Sequence, residues 1–114
     1  MSQKDDRVYV GHMIDTANKA MGFVTGSIRE DFDEDEQLRL ALTHLLQVIG
    51  EAARRVSPEF RDAYPEIPWN AIVGMGRKVV PDYLNVDEDV VWDTVQHDLT
   101  SFVTDLENIL AEST

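Results

Sequence analysis

Proton transfer at neutral pH falls most readily to histidine, and the chain has three, His12, His44 and His97. His12 precedes Met13 and lies two positions before Ile14, His44 precedes Leu45, and His97 sits between Gln96 and Asp98. No pair is spaced i, i+4 and no cluster of further ligands surrounds any of them, so their spacing points to packing or surface positions, not to a metal centre. His97 alone has a neighbouring carboxylate, Asp98. Glu51 has Arg54 and Arg55 at helical spacing. It reads either as their ion-pair partner or as an acid inside a bundle, facing a cleft. With no cysteine there is no disulfide framework, thiolate zinc site or cysteine nucleophile. No residue pattern asks for a metal or any other cofactor.

These side chains must be held by helices, because every periodic segment has a helical period. Val10, Ile14, Ala17, Met21 and Val24 form one stripe, with Gly26 and Ser27 as stop signals. Leu38, Leu42, Leu45, Ile49, Ala52 and Val56 form a second, widened by Leu46, Val48 and Ala53. Ser57-Pro58-Glu59 reads as an N-cap followed by proline at the first helical position, opening a short turn to about Tyr64. Pro65-Glu66-Ile67-Pro68 is a rigid linker. A third helix is expected from Pro68 or Trp69 to about Val80, stopped by Pro81. Leu84-Asn85-Val86 is a loop. Asp87 caps a last helix carrying Val91, Val95, Leu99, Phe102, Leu106 and Ile109. No useful segment alternates with period two. The fold class that follows is all-α: an antiparallel up-and-down bundle of three long helices plus shorter ones, one domain over residues 1–114. The width of the second and last stripes leaves apolar surface for a homodimer.

Composition narrows the partners. At 43% hydrophobic and 28% charged residues the chain is globular, not disordered. Its 22 acidic and 10 basic residues give a formal charge of −12, which argues against general nucleic-acid coating and against DNA. Six acids fall within Glu30-Asp31-Phe32-Asp33-Glu34-Asp35-Glu36. That run reads as a solvated loop entering a helix N-terminus, with a docking surface for a basic partner as the other reading. No stretch approaches a membrane span, and Met1-Ser2-Gln3-Lys4-Asp5-Asp6 lacks the apolar core of a signal peptide. A cytoplasmic protein is expected.

From Val48 the sequence stops being generic: Val48-Ile49-Gly50-Glu51-Ala52-Ala53-Arg54-Arg55-Val56-Ser57-Pro58-Glu59-Phe60, then Tyr64-Pro65-Glu66-Ile67-Pro68-Trp69, Ile72-Val73-Gly74-Met75, Asp82-Tyr83, Val86-Asp87 and Val91-Trp92. In this order and spacing the chain resembles the HepT-like branch of the HEPN superfamily over essentially its whole length. The resemblance implies a dimeric up-and-down helical bundle and metal-independent endoribonuclease cleavage of RNA. It also implies a toxin role beside a nucleotidyltransferase antitoxin. The family motif is an Arg, usually followed by Asn, then a His after four intervening residues, then one residue and a Tyr; two copies face each other across the dimer cleft. The His would move protons at the 2′-hydroxyl and leaving oxygen, and the Arg would meet charge building on the phosphate.

Gly74-Met75 before the motif and Asp82-Tyr83 after it set the register. The family Arg then falls on Gly76, the Asn on Arg77 and the His on Pro81, leaving only Tyr83. Glycine has no side chain and proline no titratable nitrogen. Arg77 lies about 100° around the helix from position 76. It reads as a solvated cation at a helix C-terminus or as a residual phosphate contact. Tyr83 matches the tyrosine that the family's nucleotidyltransferase modifies with AMP; otherwise it is a half-buried aromatic at a helix end. The expectation is a ribonuclease framework whose cutting site is inactive or impaired, or a catalytically dead HEPN protein that acts by dimerising and binding the antitoxin.

Overall fold

The computed structural model describes residues 3–82 and 85–113. Its elements are α1 (Gln3–Phe23), α2 (Arg29–Glu34), α3 (Glu36–Arg55), α4 (Pro58–Ala63), α5 (Trp69–Val73), α6 (Met75–Val79), α7 (Glu88–Asp93) and α8 (Leu99–Glu112). A wide π-type turn, Thr94–Asp98, joins the last two: the Leu99 N–H bonds to Thr94 O, five residues back. The fold is all-α, and among the described residues the β-type pairing is a lone bridge between Asp82 and Asn85.

The direction of each long helix can be read from its contacts. The Asp6 carboxylate, near the start of α1, accepts hydrogen bonds from Ser57 N (2.8 Å) and Ser57 Oγ (2.7 Å), just past the end of α3. Arg7 donates to Leu110 O at 2.8 Å, late in α8. At the other end of α1, Thr100 Oγ1 reaches Met21 Sδ. α1 therefore runs antiparallel to both α3 and α8. Their facing stripes make the core: Val10, Met13 and Ala17 meet Leu42, Leu46 and Ile49 on one side and Leu99, Leu106 and Ile109 on the other, all buried. Each large member contributes roughly 1.5–3 kcal/mol through apolar burial.

Asp6 is itself only 2% exposed. Ser57, whose hydroxyl caps α4 by accepting from Phe60 N, depends on it. Asp6→Ala would leave two buried Ser57 donors unmatched. Urea unfolding of that variant is expected to show a loss of about 1–3 kcal/mol, with Asp6→Asn recovering part of it. An unchanged midpoint would mean that water satisfies Ser57.

The acidic stretch is not a loop. Arg29–Glu34 forms a helix whose entry is fixed by Ile28 N donating to Asp31 Oδ2 at 3.0 Å. Asp35 then caps α3 through Leu38 N, as acids at a helix start should. What folds α2 is Phe32, fully buried against Trp92 with ring centroids 5.3 Å apart, while the acids around it face water. The third helix is likewise not one rod. It breaks at Gly74 (φ −77°, ψ −3°), which has little helix preference, into α5 and α6. It ends at Val79, with Val80 at φ −125°, ψ 79° before Pro81. Among the described residues no helix is long and apolar enough to cross a membrane.

Candidate functional site

The segment that matters is α6 and the turn after it. α5 and α6 run antiparallel along α3, and a glycine sets how closely. A Cβ at Gly50 would stand 3.1 Å from Ile72 O and 3.2 Å from Val73 O, so close that these backbone carbonyls would have to give by a few tenths of an ångström. Gly50 lies mid-helix, where glycine is disfavoured by about 1 kcal/mol against alanine, so its place in α3 is a matter of packing. Gly50→Val should push α5 and α6 away from α3. A loss of about 1–3 kcal/mol in urea unfolding is expected, even though a helical glycine has been removed. A midpoint that holds or rises would show that α5 can retreat without loss.

Gly76 faces α3 one turn further on. A Cβ there would meet Gln47 Cγ at 3.5 Å and Cα at 3.6 Å, ordinary van der Waals contact. Arg77 and Lys78 are exposed on α6, and among the described residues neither makes an ion pair. Past Val80 the chain is tied down at two points: Asp87 N donates to Val79 O at 2.7 Å, and Asn85 Nδ2 donates to both Asp82 carboxylate oxygens. Pro81 is exposed and lines an open groove of about 440 Å³ with Arg29, Asn85, Val86, Asp87, Glu88 and Asp89. Among the described lining residues the one cation is already engaged, since Arg29 pairs with Asp33 and Asp89, each at 2.8 Å, while Glu88 lies 3.4 Å from Arg39 Nε. The face around Pro81 is thus net acidic, and none of the described positions 76, 77 and 81 carries a group that titrates near neutrality. Tyr83, the candidate for AMP modification, and Leu84 lie outside the described residues.

The other candidates are scattered. His44 and His97 are exposed on α3 and on the π-type turn. Glu51 is on the outer face of α3, its carboxylate accepting from Arg54 Nε (3.0 Å) and Nη2 (2.6 Å) and lying 3.3 Å from Arg55 Nη2. The Arg54 hydrogen bonds, offset in part by desolvation, hold the Glu51 carboxyl below its usual range. It is an ion-paired surface acid, not an acid inside the bundle. His12 is exposed, with its ring edge-on to Tyr9 at 6.4 Å. Among the described residues no three His, Asp or Glu side chains converge as metal ligands.

The family model described as Ribonuclease HepT-like matches residues 13–112, which takes in α3, the glycine contact, α6 and the last helix. The chain belongs to this family. Among HepT-like relatives, a "Putative RNase" of Caldanaerobacter subterraneus subsp. tengcongensis is 30% identical over 107 residues, covering 94% of this chain and 96% of its own length. The "Probable ribonuclease HepT" of Thermococcus cleftensis is 38% identical over 72 residues, 63% of this chain and 66% of that one. A "Putative RNase" of Methanocaldococcus jannaschii is 26% identical over 107 residues, 94% of this chain and 98% of its own. No solved structure gives a significant match. Within the HepT-like frame, sequence reasoning missed the work of Gly50 and Gln47 against α6. The signal for Gly50 was its place inside an otherwise strong helix.

Proposed function

We propose that this chain is a HepT-like ribonuclease scaffold whose cutting site is disabled. It would serve as the toxin-family half of a toxin–antitoxin pair, as a homodimer that binds a nucleotidyltransferase antitoxin. The observation that carries this reading is the pairing of Gly76 and Pro81 at the motif positions with an acid-lined groove beside Pro81. A phosphate there would meet Asp87, Glu88 and Asp89, with Arg29 already paired, and no imidazole to move a proton. The names of the relatives support RNA as the ancestral substrate. The −12 charge favours a protein over RNA as the partner of most of the surface. Large apolar side chains left exposed on the long helices, Leu40 at 58% and Val8 and Phe23 each at 49%, support self-association. Tyr83 is the position at which the antitoxin would add AMP.

The second reading is an active ribonuclease toxin, favoured by the near full-length likeness to RNases. RNA cleavage in EDTA separates the two. The chain as it stands is compared with the triple variant Gly76→Arg, Arg77→Asn, Pro81→His. Cleavage by the triple variant alone supports a disabled site. Cleavage by both would place the chemistry on other residues and refute the reading. If neither cuts although both fold as dimers, antitoxin binding remains as the function.

A further inference from the structure

The methionines inside the fold differ sharply in access. Met13 and Met75 are sealed in the core, at 0% and 5% exposure. Met21, in the last turn of α1, is only partly buried. It lines an open groove of about 260 Å³ between the end of α1 and the π-type turn, together with Val95, Gln96 and Thr100. Two threonine hydroxyls hold it there. Thr25 Oγ1 donates to Met21 O at 3.2 Å, and Thr100 Oγ1, from α8, donates to Met21 Sδ at 3.5 Å. A thioether sulfur is a weak acceptor. Thr100 is exposed, so its hydroxyl is aimed at a poor partner with water close at hand.

We propose that Met21 is a site of oxidation by hydrogen peroxide, and that the groove around it accepts the product. A sulfur lone pair attacks one peroxide oxygen, and the O–O bond breaks. The second oxygen leaves as hydroxide, which takes the proton from the transferred oxygen and becomes water. Sulfur gives up two electrons, and the side chain becomes methionine sulfoxide, a polar, chiral group. At Met13 or Met75 that group would be a buried acceptor set among apolar side chains, at a high desolvation cost. At Met21 the Thr100 hydroxyl, already directed at the sulfur, donates to the new oxygen. The open groove admits water, and half-buried Gln96 lines it with a further amide donor. Oxidation thus turns a weak hydrogen bond between α1 and α8 into an ordinary one.

The test treats the folded full chain with hydrogen peroxide and follows its tryptic peptides by mass spectrometry. Cleavage after Arg7, Lys19, Arg29, Arg61 and Arg77 places Met13, Met21 and Met75 on separate peptides. The Met21 peptide is expected to gain one oxygen about tenfold faster than the other two. Thermal melts by circular dichroism then read the groove. Oxidation should lower the melting temperature of Thr100→Val by about 4 °C more than that of the unaltered chain, because valine offers the sulfoxide oxygen no hydroxyl. Met21→Leu, treated alike, should melt as it did before treatment. Equal rates at the three methionines, or faster oxidation of Met13 or Met75, would overturn the site. An equal fall in melting temperature with and without the Thr100 hydroxyl would overturn the accepting groove. If Thr100→Val proves unstable before treatment, the amide NMR signals of Gln96 and Thr100 in the unaltered chain decide. They should move on oxidation, and signals that stay in place would overturn the proposal.

Discussion

The triple variant Gly76→Arg, Arg77→Asn, Pro81→His is expected to cleave RNA in EDTA about 10²–10⁴ times faster than the present chain, the usual contribution of a positioned general acid–base. The backbone is ready for the first change. Position 76 has ordinary contact distance to Gln47, 3.5 Å or more from a Cβ, so an arginine can leave α6 along the surface of α3 without displacing it. Removing a helical glycine also favours α6 by up to about 1 kcal/mol. Position 81 is exposed at the turn, where the ring of proline makes no hydrogen bond that a histidine would lose. The acids beside it, Asp87, Glu88 and Asp89, cut both ways: they favour an imidazolium, and they repel the phosphate that the imidazolium must serve. Activity should therefore rise with moderate salt, which screens that repulsion. Pro81→His alone is expected to gain much less, because residues acting as a unit are not additive. Initial rates on an end-labelled RNA, followed against ionic strength, measure both effects. A triple variant that folds and dimerises yet cuts no faster would remove the disabled-site reading.

Phe32→Ala is expected to cost about 3–5 kcal/mol, the range for deleting a buried aromatic. That is a large share of the roughly 5–15 kcal/mol that holds a domain together. Phe32 is fully buried in the one short helix whose other side chains are charged and exposed, and its ring packs on Trp92 across to α7. Without it, α2 keeps the surface ion pairs of Arg29 with Asp33 and Asp89 and the hydrogen bonds of Arg39 to the Phe32 and Asp33 carbonyls, and exposed pairs contribute little. Asp33→Asn should accordingly move a urea midpoint only slightly. If Phe32→Ala were as mild as Asp33→Asn, α2 would be an ornament on the fold and not one of its supports.

Why the sequence hid α2 is plain from Phe32. A single apolar residue among acids has no period, and the charges around it look like solvent-facing loop. The long helices hid less. Most of each stripe is buried, with Met21, Leu38, Leu45, Val48 and Phe102 only partly so and Met13, Ala20 and Val103 joining the core, and the end-markers act where they stand: Gly26 at φ 80° closes α1, Ser57 and Asp87 cap the helices they precede, and Pro81 follows the end of α6. The break at Gly74 was ambiguous by nature. Trp69, Ile72, Met75 and Val79 are all buried, and steps of three, three and four suit one rod as well as two. The candidate site was legible as a register, since Gly76, Arg77 and Pro81 can be placed by their neighbours. The open groove where Tyr9 and His12 of α1 meet Val48 and Ala52 of α3 was not, because packing brings them together over a separation that no local pattern encodes.

The π-type turn at Thr94–Asp98 also resolves a conflict of phase written into the last helix. Val91, Val95, Leu99 and Val103 are all buried, yet they follow one another in three consecutive steps of four. In an ordinary helix of 3.6 residues per turn each such step overshoots by about 40°, so the fourth residue would have swung about 120° from the first, off the core. One turn closed five residues back acts as a vernier: it takes up the excess and returns Leu99 and its successors to the face that Val91 began. The same widening makes the middle of the run from Glu88 to Glu112, and not its ends alone, a place where hydrogen bonding is irregular. Within the run from Glu88 to Glu112, the amides from Val95 to Asp98 should therefore exchange with solvent faster than those of the regular turns on either side.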